Sequence, residues 1–344
     1  MVAAMNAPMA ARVDALCQRQ CAFALYCLPG ETAPVFCMGA DGRTIGSPEG
    51  ECFTVATFDG SRLFIPRELS SPPGADAWPE LHPATPAPQT TREEYGRLFR
   101  QYTGYIHSGA VRKIVLARTA DEAIPAAFSP YRAFSAACEQ NPAAFKALVH
   151  TAQYGTWLFC TPEQLITGSR DIWHTMALAG TRIPCTLPWD AKNKREQALV
   201  TDFMREVLTP LCDELTESPL ENLRAGRIEH LCTRFTLRMS QEQLLPLLEQ
   251  LPPTPAVCGS PVGAARELIQ TTPDIERSCY AGYLGPWGTD SAQVYVALRC
   301  MQIFPAFCRL YAGGGLMPDS DEEQEWQETE NKMACMRQAI QAGC

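Results

Sequence analysis

Residues 294–316 read VYVALRCMQIFPAFCRLYAGGGL, and this stretch decides the fold class. It predicts two apolar strands, at 294–304 and 307–316, which follow one another directly. A closing helix is predicted at 320–341. Two strands in succession break the strict alternation of strands and helices that a doubly wound fold requires. The chain is therefore expected to form a mixed or antiparallel α+β fold.

The segments outside this stretch show the same mixture of strands and helices. Helices are predicted at 191–211 and 240–250, and capping boxes predict helix starts at Thr90 or Thr91 and at Ser320. The other predicted strands are CAFALYCL (21–28), ECFTVATF (51–58), RLFIP (62–66), KIVLART (113–119), WLFCTPEQLI (157–166) and DIWHTMALAGT (171–181).

The domain organisation follows from a segment at 67–90 that is rich in Pro, Ser and Ala and poor in large apolar residues. Such a composition is typical of a connection. We therefore expect an N-terminal β-containing segment with this connection at 1–88 and a larger domain at 89–344. The two parts are expected to form one compact unit.

The composition excludes several classes of protein. The 344 residues carry 29 Lys and Arg against 38 Asp and Glu, a net charge of -9, without a basic run for a nucleic acid. The sixteen cysteines form no CxxC pair, so no zinc site is expected. No apolar run predicts a membrane span or a secretion signal, so the expected location is the cytoplasm, with reduced thiols.

Lys113 and Glu163 stand at the ends of predicted strands and are candidates for acid-base chemistry. Lys113 begins a strand that is apolar on both faces, as in a buried central strand. It is either a solvated strand-end lysine or a neutral amine that serves as a general base. Glu163 follows the proline that breaks its strand. It is either a solvated turn carboxylate or a general acid.

Acidic residues on two predicted helices are candidate metal ligands. Glu196 shares a helix face with Leu199 and Val200, and a carboxylate facing the core must be paired, protonated or bound to a metal. The alternative is a first-turn glutamate that favours the helix dipole.

In the last helix, Glu325, Glu328 and Lys332 form one stripe, which alone is also explained by a surface ion pair. If this stripe faces Glu196, a hard cation such as Mg²⁺ is the usual means of holding the carboxylates together.

Arg299 and two glycine segments are candidates for anion binding. Arg299 interrupts an otherwise apolar predicted strand, and a buried arginine needs an anion. Gly313-Gly314-Gly315 is predicted to end the following strand, and Gly180 to lie in a turn. Backbone N–H groups at such glycines can approach a carboxylate, although each segment can also be a plain turn.

Nine segments in this order resemble the chorismate-utilising enzyme family, over about residues 90–341. They are KIVLAR (113–118), TPEQL (161–165), LAGTR (178–182), DAKNKREQALV (190–200), PTPAVCG (253–259), YAGYLG (280–285), VALRC (296–300), YAGGGL (311–316) and EWQETENK (325–332). The resemblance implies a fold of two large facing antiparallel sheets flanked by helices.

The resemblance also implies a role for each matching position. Lys113 is the expected general base and Glu163 the general acid. Glu196 and Glu328 are the expected Mg²⁺ carboxylates, with Glu325 beside them. The residues expected to line the chorismate pocket are Gly180, Thr181, Ala256, Tyr280, Arg299, Gly313, Gly315 and Lys332.

Two positions bear on the reaction that the resemblance implies. Anthranilate synthases lack the lysine at 113, and aminodeoxychorismate synthases carry a lysine in place of Ala179. The pattern here implies activation of water and isomerisation of chorismate to isochorismate. Pro252 and Gln197 replace histidines that are common in the family. The absence of the histidine at position 252 favours isomerisation without pyruvate elimination. An enzyme with impaired activity is the alternative that this absence leaves open.

Two alternatives remain open within this resemblance: a salicylate synthase that continues to pyruvate loss, and a catalytically silent chorismate-binding protein. The compact chain is more similar to menaquinone-pathway members than to siderophore enzymes. Chorismate is the expected partner, without a glutaminase subunit, nucleic acid or membrane. The oligomeric state is not determined by the sequence, although a monomer is favoured.

Overall fold

A computed structural model describes residues 7–82, 85–185, 187–225 and 228–344. Within these ranges the chain forms two large antiparallel sheets with helices packed around them. The predicted α+β fold with two facing antiparallel sheets is confirmed. None of the helices in the described ranges is both long and apolar enough to cross a membrane.

The first sheet has eight strands, numbered here in chain order. Their spatial order is β13 (Gly259–Ser260), β5 (Lys113–Ala123), β17 (Phe307–Leu316), β16 (Cys300–Ile303), β7 (Gly155–Thr161), β6 (Phe145–Thr151), β1 (Phe23–Cys27) and β2 (Val35–Cys37). Both N-terminal and C-terminal parts of the chain therefore contribute strands to this sheet.

The second sheet has nine strands. Eight of them lie in the order β10 (Glu214–Glu217), β12 (Ile228–Arg238), β9 (Ile172–Arg182), β8 (Gln164–Ser169), β15 (Ser291–Val296), β14 (Tyr283–Trp287), β3 (Cys52–Ala56) and β4 (Arg62–Pro66). The ninth, β11 (Glu221–Ala225), pairs with β12.

Seven helices lie in the described part of the chain. They are α1 (Ala7–Leu16), α2 (Arg92–His107), α3 (Pro130–Gln140), α4 (Ala191–Leu208), α5 (Leu244–Gln250), α6 (Val262–Thr271) and α7 (Glu322–Gly343). Single turns of 3₁₀ helix occur at Ala75–Ala77, Thr209–Leu211 and Gln241–Gln243.

The main hydrophobic core lies between the two sheets. Phe145 of the first sheet stacks on Tyr295 of the second, with ring centroids 4.2 Å apart. Successive residues of β6 alternate between two cores, since Val149 packs in this core and Leu148 in a second one. The second core lies between the first sheet and α1, α3 and α7. Both faces of the first sheet are thus covered.

The chain crosses from one sheet to the other at two points that the sequence had placed inside single strands. WLFCTPEQLI divides into β7 and β8 at Pro162, because proline has no N–H to continue the strand ladder. The predicted strand 294–304 is wrong for a similar reason. Arg299 has a φ of 45°, a left-handed conformation that interrupts extended backbone between β15 and β16.

The glycine segments are also placed differently from the prediction. The strand predicted at 307–316 is confirmed as β17, and Gly313 to Gly315 lie in its last residues as extended backbone paired with β5 rather than in a turn. Glycine is needed there for close approach, because a Cβ on Gly314 would lie 2.7 Å from Glu325 Oε2. Gly180 lies in β9 rather than in a turn, at an irregularity in the pairing with β12 and with a φ of 64°.

The helix starts show which capping residues act. Thr91 rather than Thr90 caps α2, and its side chain accepts a hydrogen bond from the Glu94 N–H. The predicted capping box at Ser320 is wrong, because Asp321 caps α7. The Ser320 hydroxyl instead donates to Glu325 Oε1 at 2.6 Å. A serine that appeared to be a helix cap is therefore a partner of a buried carboxylate.

Candidate active site

A cavity of about 60 Å³ lies where the two crossovers meet between the sheets. Ten of the thirteen residues predicted for the site line it: Glu163, Gly180, Thr181, Glu196, Ala256, Tyr280, Arg299, Gly313, Gly315 and Lys332. Lys113 lies directly behind this lining, and Glu325 and Glu328 lie on α7 beside it. The remaining lining residues were not among the predicted site residues, although Ala179 had been noted as a position that bears on the reaction; they are Pro162, Leu178, Ala179, His230, Leu298, Tyr311 and Ala312.

Lys113 is the first residue of β5, and its side chain is completely buried. Its Nζ lies 2.8 Å from Glu196 Oε1, which comes from α4. This ion pair is the contact that the structure gives to Nζ, and no further hydrogen-bond partner is present for it within the described residues. Burial would raise the pKa of Glu196, but the charge of Lys113 holds that pKa below its ordinary value. Glu196 is therefore ionised.

Glu163 lies in the crossover from β7 to β8 and is only 4% exposed. The strands hold its backbone, since its carbonyl accepts a hydrogen bond from the Val296 N–H at 3.0 Å. Burial raises the pKa of Glu163 to about 8, although Lys113, Lys332 and Arg299 act in the opposite direction. This carboxyl group is protonated at neutral pH. One cavity thus contains a neutral acid and an ionised carboxylate.

Arg299 is oriented by His230, a residue of β12 that the sequence analysis missed. Arg299 Nη2 lies 2.9 Å from His230 Nε2, and His230 Nδ1 lies 2.8 Å from the carbonyl oxygen of Gly180. Because a carbonyl can only accept, Nδ1 must carry the proton and Nε2 must accept from the guanidinium. Burial, Arg299 and Lys332 lower the pKa of His230 to about 3. A neutral histidine therefore holds Arg299 in place.

Other predicted pocket residues fix the walls of the cavity. Lys332 Nζ donates to the Gly313 carbonyl at 2.8 Å, which ties α7 to β17. The Thr181 N–H donates to Asn193 Oδ1 at 3.0 Å, which ties β9 to the first turn of α4. Tyr280 is buried against Gly313, where a Cβ would lie 2.8 Å from the tyrosine hydroxyl. These contacts bring both sheets and both helices to one place.

The three predicted metal carboxylates each pair with a lysine. The pairs are Glu196 with Lys113, Glu328 with Lys332 at 2.7 Å, and Glu325 with Lys192. Across the described ranges, no three His, Cys, Asp or Glu side chains form a ready metal cluster. The sequence predicted carboxylates that converge on a cation, and the cations that the structure places there are ammonium groups.

The chemistry of the carboxylate set nevertheless fits a hard divalent cation. Glu325 is 1% exposed, and its Oε2 has no hydrogen-bond partner in the described residues. Burial, followed by the neighbouring Glu328, raises the pKa of Glu325 to about 7. An orphaned carboxylate oxygen beside a second carboxylate can be satisfied by a cation, and oxygen is the ligand that Mg²⁺ prefers.

A larger cavity of about 460 Å³ adjoins the first one and shares Pro162 and Arg299 with it. Arg224 also lines this cavity, together with amide side chains such as Asn331. None of the described residues that line it is acidic, although the protein carries a net charge of -9. The larger cavity is therefore more favourable to anions than the average surface.

Comparisons with known sequences agree with this chemistry. A family model described as chorismate binding enzyme matches residues 72–341. The chain is 30% identical over 276 residues to isochorismate synthase MenF of Escherichia coli, covering 76% of this chain and 64% of that protein. It is 33% identical over 260 residues to a putative isochorismate synthase MenF of Mycobacterium tuberculosis, covering 67% and 68%. It covers 40% of a chloroplastic isochorismate synthase of Catharanthus roseus.

Solved structures show the same fold. The menaquinone-specific isochorismate synthase MenF of Escherichia coli aligns with a TM-score of 0.78 at 24% identity, over 95% of this chain and 91% of that one. Anthranilate synthase component I of Streptococcus pneumoniae aligns with a TM-score of 0.68 at 16% identity, over 93% and 91%. Because the family model spans most of the sequence, this chain belongs to the family of chorismate-binding enzymes.

Proposed function

We propose that this protein is an isochorismate synthase, which adds water at C2 of chorismate and releases the hydroxyl at C4. The observation that carries the proposal is the pair of acid-base groups at one cavity. Glu163 is kept protonated by burial, and Lys113 is a fully buried amine beside Glu196. A proton donor and a potential proton acceptor at one cavity are the two groups that the reaction requires.

Glu163 is the proposed general acid. Its pKa of about 8 lies close to neutral pH, where a general acid is most effective because it is protonated yet can release the proton. The proton would pass to the departing C4 hydroxyl. Because isomerisation is reversible, the same residue acts as a base when the reaction starts from isochorismate.

Lys113 is the proposed general base, which takes a proton from the water that attacks C2. In the structure its ammonium faces Glu196. Lys113 can accept a proton only in its neutral form. A metal held by Glu196 would occupy the carboxylate that Lys113 faces in the structure. The base and the metal site are therefore expected to depend on one another.

Cationic groups would hold the two carboxylates of chorismate. Arg299 has no carboxylate within 4 Å in the described residues, so its guanidinium is available for the enolpyruvyl carboxylate. Glu196 and Glu328, with Glu325 beside them, would hold Mg²⁺. When bound, Mg²⁺ supplies a positive charge that draws electron density toward the ring carboxylate.

Further features of the proposal follow from the relatives. One solved relative is described as menaquinone-specific, and we propose the same pathway for this chain. The proposal includes action in the cytoplasm and without a glutaminase subunit. We also propose that the segment 1–88 and the domain 89–344 fold as one unit. In support, β1 pairs with β6 and β3 pairs with β14.

The test is incubation of the purified protein with chorismate and Mg²⁺, with products separated by liquid chromatography. Isochorismate alone supports the proposal. Salicylate with pyruvate would instead identify a salicylate synthase. Binding of chorismate without any product would identify a silent binding protein. A matched sample with a chelator tests the metal, because activity that is unaffected by the chelator would exclude it.

A further inference from the structure

Lys192 is a charged residue of the carboxylate cluster for which neither the sequence analysis nor the proposed mechanism has a role. It lies in the first turn of α4, four residues before Glu196, so both side chains project from the same face of the helix. Its Nζ contacts Glu325 Oε1 on α7. The ammonium group therefore bridges the two helices that carry the proposed metal ligands.

The other two lysines of the cluster are held more firmly, one by burial and one by a backbone contact. Lys113 is buried at the start of β5, and Lys332 donates to the carbonyl of Gly313. Both belong to the proposed chemistry or to the cavity lining. Lys192 is not one of the described residues that line the cavity. Its side chain is 23% exposed. Lys332 is 18% exposed but is held by the Gly313 carbonyl, so of the three Lys192 is the one that can leave the cluster for solvent.

The charges around Lys192 favour a cation at this position. The Lys192 ammonium contacts Glu325, and Glu196 lies one helical turn further along the same face of α4. These carboxylates therefore act on one ammonium group. In the absence of metal, that group offsets their mutual repulsion.

We propose that the Lys192 ammonium is an internal cation that occupies the carboxylate cluster and competes with a divalent metal for Glu325. The proposal rests on the proposed function for the identity of the metal ligands. Glu325 Oε1 is taken by Lys192 and by the Ser320 hydroxyl, and Oε2 has no partner within the described ranges. A divalent cation near Glu325 repels the ammonium at a few ångströms, so metal binding exchanges one cation for another.

The long, flexible stem of lysine makes such an exchange possible. Four methylene groups let the ammonium move toward solvent while the backbone of α4 stays in place. Lys194, on the same helix, provides a matched control, because it is exposed and its side chain takes no part in the described hydrogen bonds or ion pairs. Removal of its charge leaves the cluster unchanged.

The experiment compares Mn²⁺ binding to wild type, Lys192→Met and Lys194→Met, by electron paramagnetic resonance of free Mn²⁺ and by calorimetry. Loss of an internal competitor should lower the Kd of Lys192→Met by roughly 5-fold to 100-fold, the usual range of coupling between sites. Lys194→Met should bind like wild type. An unchanged or higher Kd in Lys192→Met would overturn the proposal.

Two further measurements keep the result specific. In a Glu325→Gln background, Lys192→Met should no longer lower the Kd, because the carboxylate for which the two cations compete is gone. The metal-free Lys192→Met protein should have a lower Tm than wild type, and its gain in Tm on adding Mn²⁺ should be larger. If Lys192→Met does not fold, Lys192→Gln keeps a polar side chain without the charge and is read in the same way.

Failure of this proposal can be distinguished from failure of the proposed function. If wild type forms isochorismate while Lys192→Met binds Mn²⁺ no more tightly than wild type, the competition is refuted and the function stands. If Lys192→Met binds Mn²⁺ more tightly than wild type does, but wild type converts no chorismate, the competition stands and the proposed function is refuted. A raised KM for chorismate with unchanged Mn²⁺ binding would make Lys192 a substrate-binding residue and overturn the proposal.

Discussion

Replacement of Glu163 by Gln should separate stability from activity. Glu163 is 4% exposed, and burial raises the pKa of its carboxyl group to about 8. Gln keeps nearly the same shape but cannot donate the proton that the departing hydroxyl needs. We expect Glu163→Gln to fold and to lose turnover in both directions, by about 10²-fold to 10⁴-fold, which is typical of the loss of a general acid.

The same substitution should change how stability depends on pH. The ordinary pKa of a glutamate carboxyl is 4.5, and burial raises that of Glu163 in the folded protein to about 8. Between these values the folded state retains a proton that the unfolded state has released, so wild-type stability falls as pH rises through this window. At about 1.4 kcal/mol per pH unit, the loss between about pH 5 and pH 8 amounts to about 4 kcal/mol.

Glu163→Gln removes this titration, so its free energy of unfolding should fall less between the two pH values than that of wild type. Urea unfolding at both pH values measures the difference, and Glu267→Gln, an exposed position on α6, is the control that should follow wild type. Wild-type kcat/KM should also fall as pH rises through about 8. If wild type and Glu163→Gln lose stability in parallel, Glu163 is not a buried neutral acid and the reasoning is wrong.

Three further predictions concern the other proposed groups. Lys113→Met should lower kcat by about 10²-fold to 10⁴-fold, because the base is lost, while the Kd for chorismate measured by calorimetry changes little; a near wild-type kcat would remove Lys113 from the mechanism. Glu196→Gln or Glu328→Gln should raise the Mg²⁺ concentration needed for half-maximal activity, because an amide is a poorer ligand for a hard cation than a carboxylate. An unchanged Mg²⁺ dependence would refute the assignment of these residues as ligands. Arg299→Ala should weaken chorismate binding by roughly 10-fold to 100-fold, the range expected for loss of a hydrogen bond to a charged group. An affinity equal to that of wild type would show that Arg299 does not bind the carboxylate.

The fold class and most residues around the cavity could be predicted from the sequence, because apolar periodicity and nine ordered segments are local features. The crossover at Arg299 could not. Its left-handed backbone separates two apolar runs that read as one strand, and only pairing with different sheets reveals the break. Lys192 lies four residues before Glu196, so helical spacing alone could have drawn attention to it. His230 had no signal beyond a polar residue in an apolar strand.

The central claim is that the protein moves a hydroxyl function on chorismate by addition of water at C2 and departure of the protonated C4 hydroxyl as water. It is tested most directly by the reaction in oxygen-18 water with Mg²⁺, followed by mass spectrometry of the product. The account predicts isochorismate that keeps its enolpyruvyl group and carries one oxygen-18 atom at C2. Isochorismate without the label, salicylate with pyruvate, or unchanged chorismate would contradict it.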